Sequence, residues 1–147
     1  MTLWRNLSLV FTTLMLMSCT GVNAQSDVSF DEITITINNK TLAVEYAQTF
    51  DQRARGLMHR KSMCEDCGML FRFDGPKRAS MWMKNTFIPL DVAFIDRNGV
   101  ITDIKPLKPH DLTSVGASKA VLYALEMNQG WFADNEIHVG HKITLNP

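Results

Sequence analysis

Hydrophobic positions in this chain recur mostly at a spacing of two. In ITITI, residues 33–37, the isoleucines at 33, 35 and 37 fall on one side and the threonines on the other, which predicts a half-buried strand. TLAVEY (41–46) repeats the alternation with Leu42, Val44 and Tyr46 facing inward. Asn38-Asn39 between them supplies a turn, so the pair predicts a β-hairpin. Thr49 can cap a short helix through Arg55, and Gly56 can end it. Beyond a loop at 59–67, GMLFRF (68–73) reads as a strand and DGPK (74–77) as a turn. Strand character returns at 80–87 and, after Pro89, at 90–96. Asn98-Gly99 then makes a tight connection to VITDI (100–104). Residues 105–118 read as a loop of the kind that often carries function. KAVLYALEM (119–127) suits helix or strand. Asn128-Gln129-Gly130 breaks it, Trp131 to Asn135 fits one helical turn, and Ile137 to Leu145 fits a last strand. Many short strands with turn signals, without internal repeat or low-complexity segment, predict one all-β domain at 31–147, a sandwich or small barrel.

The N-terminal segment breaks this pattern. One early cation, Arg5, precedes an apolar run of about 11 residues, Leu7 to Met17. About 20 are needed to span a bilayer, so the run predicts a secretory signal. Val22-Asn23-Ala24 before Gln25 suits ordinary cleavage, giving a signal peptide at 1–24 and a short polar linker at 25–30. Leu16-Met17-Ser18-Cys19 offers the alternative of a lipoprotein signal at 1–18 with a membrane lipid anchor on Cys19. The expectation is an exported, periplasmic protein, with lipid anchoring as the alternative. No transmembrane helix is predicted in the mature chain.

Composition narrows the function classes. Hydrophobic residues make up 46% and charged residues 20%, ordinary for a folded domain, and the formal net charge is zero. No basic field exists to drive counterion release, so a nucleic-acid partner is not expected. Cleavage after Ala24 would leave Cys64 and Cys67, an even pair that in an oxidising compartment reads as a disulfide. A redox centre or half a metal site are the other readings. Glu65 and Asp66 between the thiols disfavour a thiolate, and zinc would need a second ligand pair. His59 and His138-x-x-His141 do not supply one convincingly, so neither metal nor cofactor is predicted.

The chemistry concentrates in MWMKNTFIPLDVAFID (81–96). If 80–87 is a strand, Met81, Met83 and Asn85 share one side and Trp82, Lys84 and Thr86 the other. The second face could bind a polar ligand through Trp82 stacking, the Lys84 ammonium and the Thr86 hydroxyl. Asp91 follows Pro89 and could pair with Lys84. Glu126 is a second carboxylate in an apolar run. With Asp91 it could make an acid/base pair, one member raised in pKa by burial, with Lys84 as electrostatic stabiliser. The bland reading is a polar network of Lys84, Asp91 and Glu126 that fixes strand register.

RGLMHR (55–60), GMLFRF, the 81–96 segment, YALEMNQGW (123–131) and GHKI (140–143) together resemble the DUF192 (UPF0127) family, over about residues 30–145. The resemblance implies a compact, jelly-roll-like all-β fold with one or two short helices, and strand for AVLYALEM. It implies no reaction. Its pattern falls on Arg55, Gly56, Met58, Gly68, Met69, Leu70, Phe71, Trp82, Met83, Lys84, Asn85, Thr86, Pro89, Leu90, Asp91, Glu126 and Gly130. The chain departs from it at CEDC (64–67) and at His141, where an aspartate is common.

The resulting expectation is a protein that binds a small polar or anionic ligand, or an envelope partner, around Trp82, Lys84, Asn85, Thr86, Asp91 and Glu126. The alternatives are a hydrolase or lyase on envelope carbohydrate with Asp91, Glu126 and Lys84 as catalytic candidates, and a structural envelope protein without a small-molecule site.

Overall fold

A computed structural model describes residues 28–146. The expected signal segment and Cys19 lie outside the described residues. Nine strands and two short helices follow in the order β1 (Asp31–Ile37), β2 (Lys40–Ala47), α1 (Phe50–Arg55), β3 (Gly68–Lys77), β4 (Ser80–Met81), β5 (Leu90–Ile95), β6 (Ile101–Leu107), β7 (Val115–Gly116), β8 (Val121–Asn128), α2 (Trp131–Asp134) and β9 (Ile143–Asn146). Seven of them form one sheet in the order β6-β5-β8-β3-β2-β1-β9, and β4 pairs with β7 in a small second ladder. All neighbours run antiparallel except β2 and β3, which are parallel and joined through α1. The sheet curls into a half-barrel until its margins meet. Val100 bridges Lys142, and the Ile143 amide donates to the Gly99 carbonyl at 2.8 Å. Gly99 has φ +82°, and a Cβ there would stand 2.5 Å from the Ile143 carbonyl oxygen, so only glycine fits this meeting point.

Local chemistry explains most elements. Asn38 and Asn39 both take positive φ (44° and 63°), which a two-residue hairpin turn of type I′ requires, and asparagine tolerates it. Thr49 caps α1 in a capping box: its hydroxyl accepts from the Gln52 amide while the Gln52 side chain accepts from the Thr49 amide. Asp96 Oδ1 accepts from the amides of Asn98 and Val100 and holds the β5–β6 turn.

The structure corrects four expectations. DGPK is the end of β3, where the pairing with β8 shifts register between Arg72 and Lys77. The expected strand at 80–87 stops after Met81. The Thr86 amide donates to the Met83 carbonyl and Asn85 takes φ 54°, so Lys84-Asn85 is a turn. The 105–118 loop contains the end of β6 and all of β7. The last strand begins only at Ile143, because His138 to His141 form a turn with Gly140 at φ +98°.

The curled sheet has apolar packing on both faces. On one face Met69, Phe71, Leu90, Val92, Phe94 and Ala124 pack with Leu57, Met83 and Ile88. On the other Leu70, Ala93, Ile95, Leu125 and Met127 pack with Trp131, Phe132 and Ile137. The alternation along β3, β5 and β8 decides which side every residue of these strands faces.

Candidate functional site: a cleft closed by Glu126

Glu126 lies directly opposite Met69 on β3 and Val92 on β5, so its side chain joins the face that carries those two residues. It is 4% exposed, and its carboxyl makes no hydrogen bond or ion pair among the described residues. Burial alone pushes its pKa from 4.5 up to about 8, with no cation near enough to hold it charged. What it faces is a cavity of about 30 Å³, bounded by Gly56, Met58, Phe71, Trp82, Thr86 and the arginines Arg53 and Arg55. Arg53, Ala54, Phe71, Met81 and Trp82 also border an adjoining space of about 270 Å³, with Phe50, Phe73, Asp74, Lys77 and Ser80. The two form one cleft with a narrow end at Glu126 and a wide end along β3 and β4.

The walls come from irregular pieces. α1 and the residues after it make one wall. Arg53 donates to the carbonyls of Gln48 and Arg72 and, at 2.8 Å, to Asp74, so its guanidinium is already engaged. The Arg55 side chain is exposed and makes no hydrogen bond or ion pair among the described residues. The segment after β4 makes the other wall. Met83 anchors it in the core, and its amide donates to the Asp111 carbonyl at 2.9 Å. Two further loops grip the same segment: the His59 amide donates to the Asn85 carbonyl (2.8 Å) and the His110 amide to the Thr86 carbonyl (3.1 Å). His59, Asn85 and His110 all have positive φ, a conformation asparagine tolerates and the surrounding contacts hold in the two histidines. Trp82, held between these anchors, leaves 52% of its surface exposed.

Of the six residues expected to bind ligand, three line the narrow cavity: Trp82, Thr86 and Glu126. Thr86 is buried, and its hydroxyl donates to the Lys84 carbonyl at 3.2 Å. Lys84 does not share a strand face with Trp82 and Thr86. Its ammonium stands 5.5 Å from the Trp82 ring centroid, a cation–π arrangement outside the cavity lining. Asn85 is exposed and serves the turn.

Asp91 is elsewhere. It lies opposite Met127, one register position from the Val92–Glu126 pair, and so projects from the opposite face. There its Oδ2 accepts from the Gly130 amide at 2.8 Å, at the start of α2. Asp91 and Glu126 therefore do not form the expected acid/base pair, and Asp91 makes no ion pair with Lys84. The register network of Lys84, Asp91 and Glu126 is absent for the same reason.

The sequence reading gave α1 no part in the site. Phe50, Arg53 and Ala54 carried no signal of their own. Arg55, Gly56 and Met58 were marked only by the family pattern, which turns out to trace the cavity wall.

Cys64 and Cys67 are joined in a disulfide. Asp66 between them accepts from Trp131 Nε1 (2.8 Å) and pairs with Lys40 (2.6 Å), and Asn128 donates to the Cys64 carbonyl. Hydrogen bonds from Lys40 and Trp131 hold the Asp66 carboxyl below its ordinary value. The loop is fastened by side chains on every side, as a staple is. Among the described residues no three His, Cys, Asp or Glu side chains are gathered to hold a metal, and no helix is long and apolar enough to cross a membrane.

Fold and cleft together define a class: a curled-sheet, mostly β protein with a cleft beside its first helix. The chain belongs to the DUF192 family, "Uncharacterized ACR", whose pattern matches residues 33–145. Two solved structures are similar. One is a protein from Sinorhizobium meliloti 1021 provisionally described as a transcription regulator, 34% identical, with a TM-score of 0.77, covering 81% of this chain and 97% of its own. The other is a protein of unknown function from Novosphingobium aromaticivorans DSM 12444, 32% identical, with a TM-score of 0.72, covering 82% and 88%. No curated protein matches the chain.

Proposed function

We propose that this protein is an exported binding module that takes a small polar or anionic ligand in the cleft beneath Trp82. The observation that carries this reading is the Glu126 carboxyl. The carboxyl is nearly buried and has no hydrogen-bond partner among the described residues, and it opens onto a cavity rather than packed atoms, where a ligand could meet it. An exposed tryptophan over the same cavity supplies apolar and π surface for the rest of the ligand. Export is supported by the signal-like N-terminal segment and by the Cys64–Cys67 bridge, a bond favoured in oxidising compartments.

The carbohydrate hydrolase or lyase with two carboxylates has lost its geometry, since Asp91 faces away. The transcription-regulator description of the Sinorhizobium relative finds no electrostatic support in a chain of zero net charge. The experiment is a small-fragment screen of the full chain by heteronuclear NMR. Binders are expected to shift the Trp82 indole and the amides of Arg55, Gly56 and Thr86 together, and Trp82→Ala should remove them. Binders that gather on another surface and ignore Trp82→Ala would refute the reading. Mass measurement of the mature N-terminus tests export and separates cleavage before Gln25 from lipidation at Cys19.

A further inference from the structure

The narrow end of the cleft has features that select among small ligands. The cavity of about 30 Å³ has room for roughly two or three non-hydrogen atoms, given that one water needs about 10–15 Å³ on the same measure. Among the described residues, its floor is one carboxyl without a partner, and its wall includes an arginine, Arg55, without one. We infer that this end receives the carboxylate of a small organic acid, with the Glu126 carboxyl hydrogen-bonded to one carboxylate oxygen and Arg55 balancing the charge. This rests on the binding reading above and names the chemical class for the same cleft.

Each alternative end group fits less well. An ammonium would be drawn to Glu126 but would enter past Arg53 and Arg55. A phosphate or sulfate brings up to two negative charges, and Arg55 is the one arginine of the lining without a partner among the described residues. A neutral hydroxyl could meet Glu126 but would leave Arg55 unmatched. A carboxylate has three non-hydrogen atoms, accepts but does not donate, and carries the charge that Arg55 lacks. The apolar remainder of the acid then lies in the adjoining space along Phe73, Met81 and Trp82.

The arrangement needs the Glu126 proton, which burial retains up to about pH 8. Once the proton leaves, two carboxylates would confront each other. The other charged groups around the cleft are Arg53 and Arg55 from the α1 side, Asp74 and Lys77 on β3, and Lys84 in the turn. β5 and β3 present Val92 and Met69 beside Glu126. His59 and His110 flank the exposed Phe87 ring and do not line the cavity.

The test uses four probes of one shape: benzoate, benzamide, benzyl alcohol and benzylamine. Binding to the full chain is measured by calorimetry at about pH 6.5 and about pH 9.5, with the Trp82 indole NMR signal as the marker of place. Benzoate should bind at least roughly tenfold tighter than the other three at the lower pH, and weaken at least roughly tenfold at the higher. Arg55→Met should weaken benzoate at both pH values, and Glu126→Gln should flatten the pH profile. A preference for benzylamine or benzyl alcohol, still marked by Trp82, would overturn the carboxylate inference and leave the cleft reading standing. Benzoate binding at Trp82 without pH dependence would overturn the role of the Glu126 proton. Probes that never shift Trp82 would overturn both.

Discussion

Two carboxylates are buried among the described residues, and they have opposite surroundings. Asp103 on β6 is 9% exposed, yet its Oδ2 accepts from the Ser118 amide (3.1 Å), the Ser118 hydroxyl (2.9 Å) and the Thr102 hydroxyl (2.8 Å), with Lys105 at 3.6 Å from Oδ1. Burial pushes its pKa up, but those donors outweigh burial and hold it below the ordinary value. Glu126 is similarly buried, has no donor and is pushed up to about 8. One carboxylate is built into the structure and fastens the chain around Ser118 to β6. The other is left open to a cavity. Burial does not separate a fastened acid from an open one; the partners do.

Removing each group should therefore move stability in opposite directions. Glu126→Gln carries the largest expected effect. A carboxyl whose folded pKa lies above its unfolded value contributes fully below the unfolded value of about 4.5. That contribution is lost as pH rises towards about 8. Each pH unit of difference is worth about 1.4 kcal/mol, so the wild type should lose up to an amount of the order of 5 kcal/mol across this window. Glu126→Gln escapes the loss, and its advantage in urea unfolding should grow from near zero at about pH 4.5 to its maximum near pH 8. A parallel pair of stability–pH curves would break the contrast.

Asp103→Asn should act the other way, lowering stability at neutral pH by about 1.5–3 kcal/mol, the usual range for hydrogen bonds to a charged group. Its folded pKa is depressed, so the wild-type contribution is present above the ordinary carboxylate value and fades as pH falls below it. The two curves should converge in acid. The smallest effect belongs to the staple. Cys64→Ser with Cys67→Ser closes no loop and should cost about 2 kcal/mol at most. That small drop in Tm should leave benzoate binding unchanged, since the disulfide loop is pinned to Trp131 on the other face of the sheet.

Much of this fold was legible because local chemistry decided it. The Asn38-Asn39 turn, the Thr49 cap and the alternation of β1 and β2 are written in adjacent residues. Strand for Val121–Asn128 was ambiguous by periodicity and came from the family resemblance. Where the reading failed, long-range pairing decided. Ser80–Met81 and Val115–Gly116 are too short to show a period, yet they pair and hold the wall of the cleft. Lys84-Asn85-Thr86 was read as strand despite three residues at home in turns, because Met81 and Met83 lent the segment an apolar alternation. At the site, Glu126 stood out as an acid in an apolar run, and that survives. Its pairing with Asp91 does not, because facing depends on the register between β5 and β8. A single step of register puts two nearby carboxylates on opposite sides of a sheet.

The seam at Gly99 has a consequence for the life of the protein in a crowded solution. Exposed strand margins recruit other chains, and an open seven-stranded sheet would offer two of them. Here the β6 end and the approach to β9 occupy each other through Val100, Lys142 and Ile143. A side chain at position 99 would force these margins apart and free their hydrogen-bonding groups for intermolecular pairing. Replacing Gly99 by alanine is therefore expected to raise the tendency of the chain to self-associate, measured by light scattering.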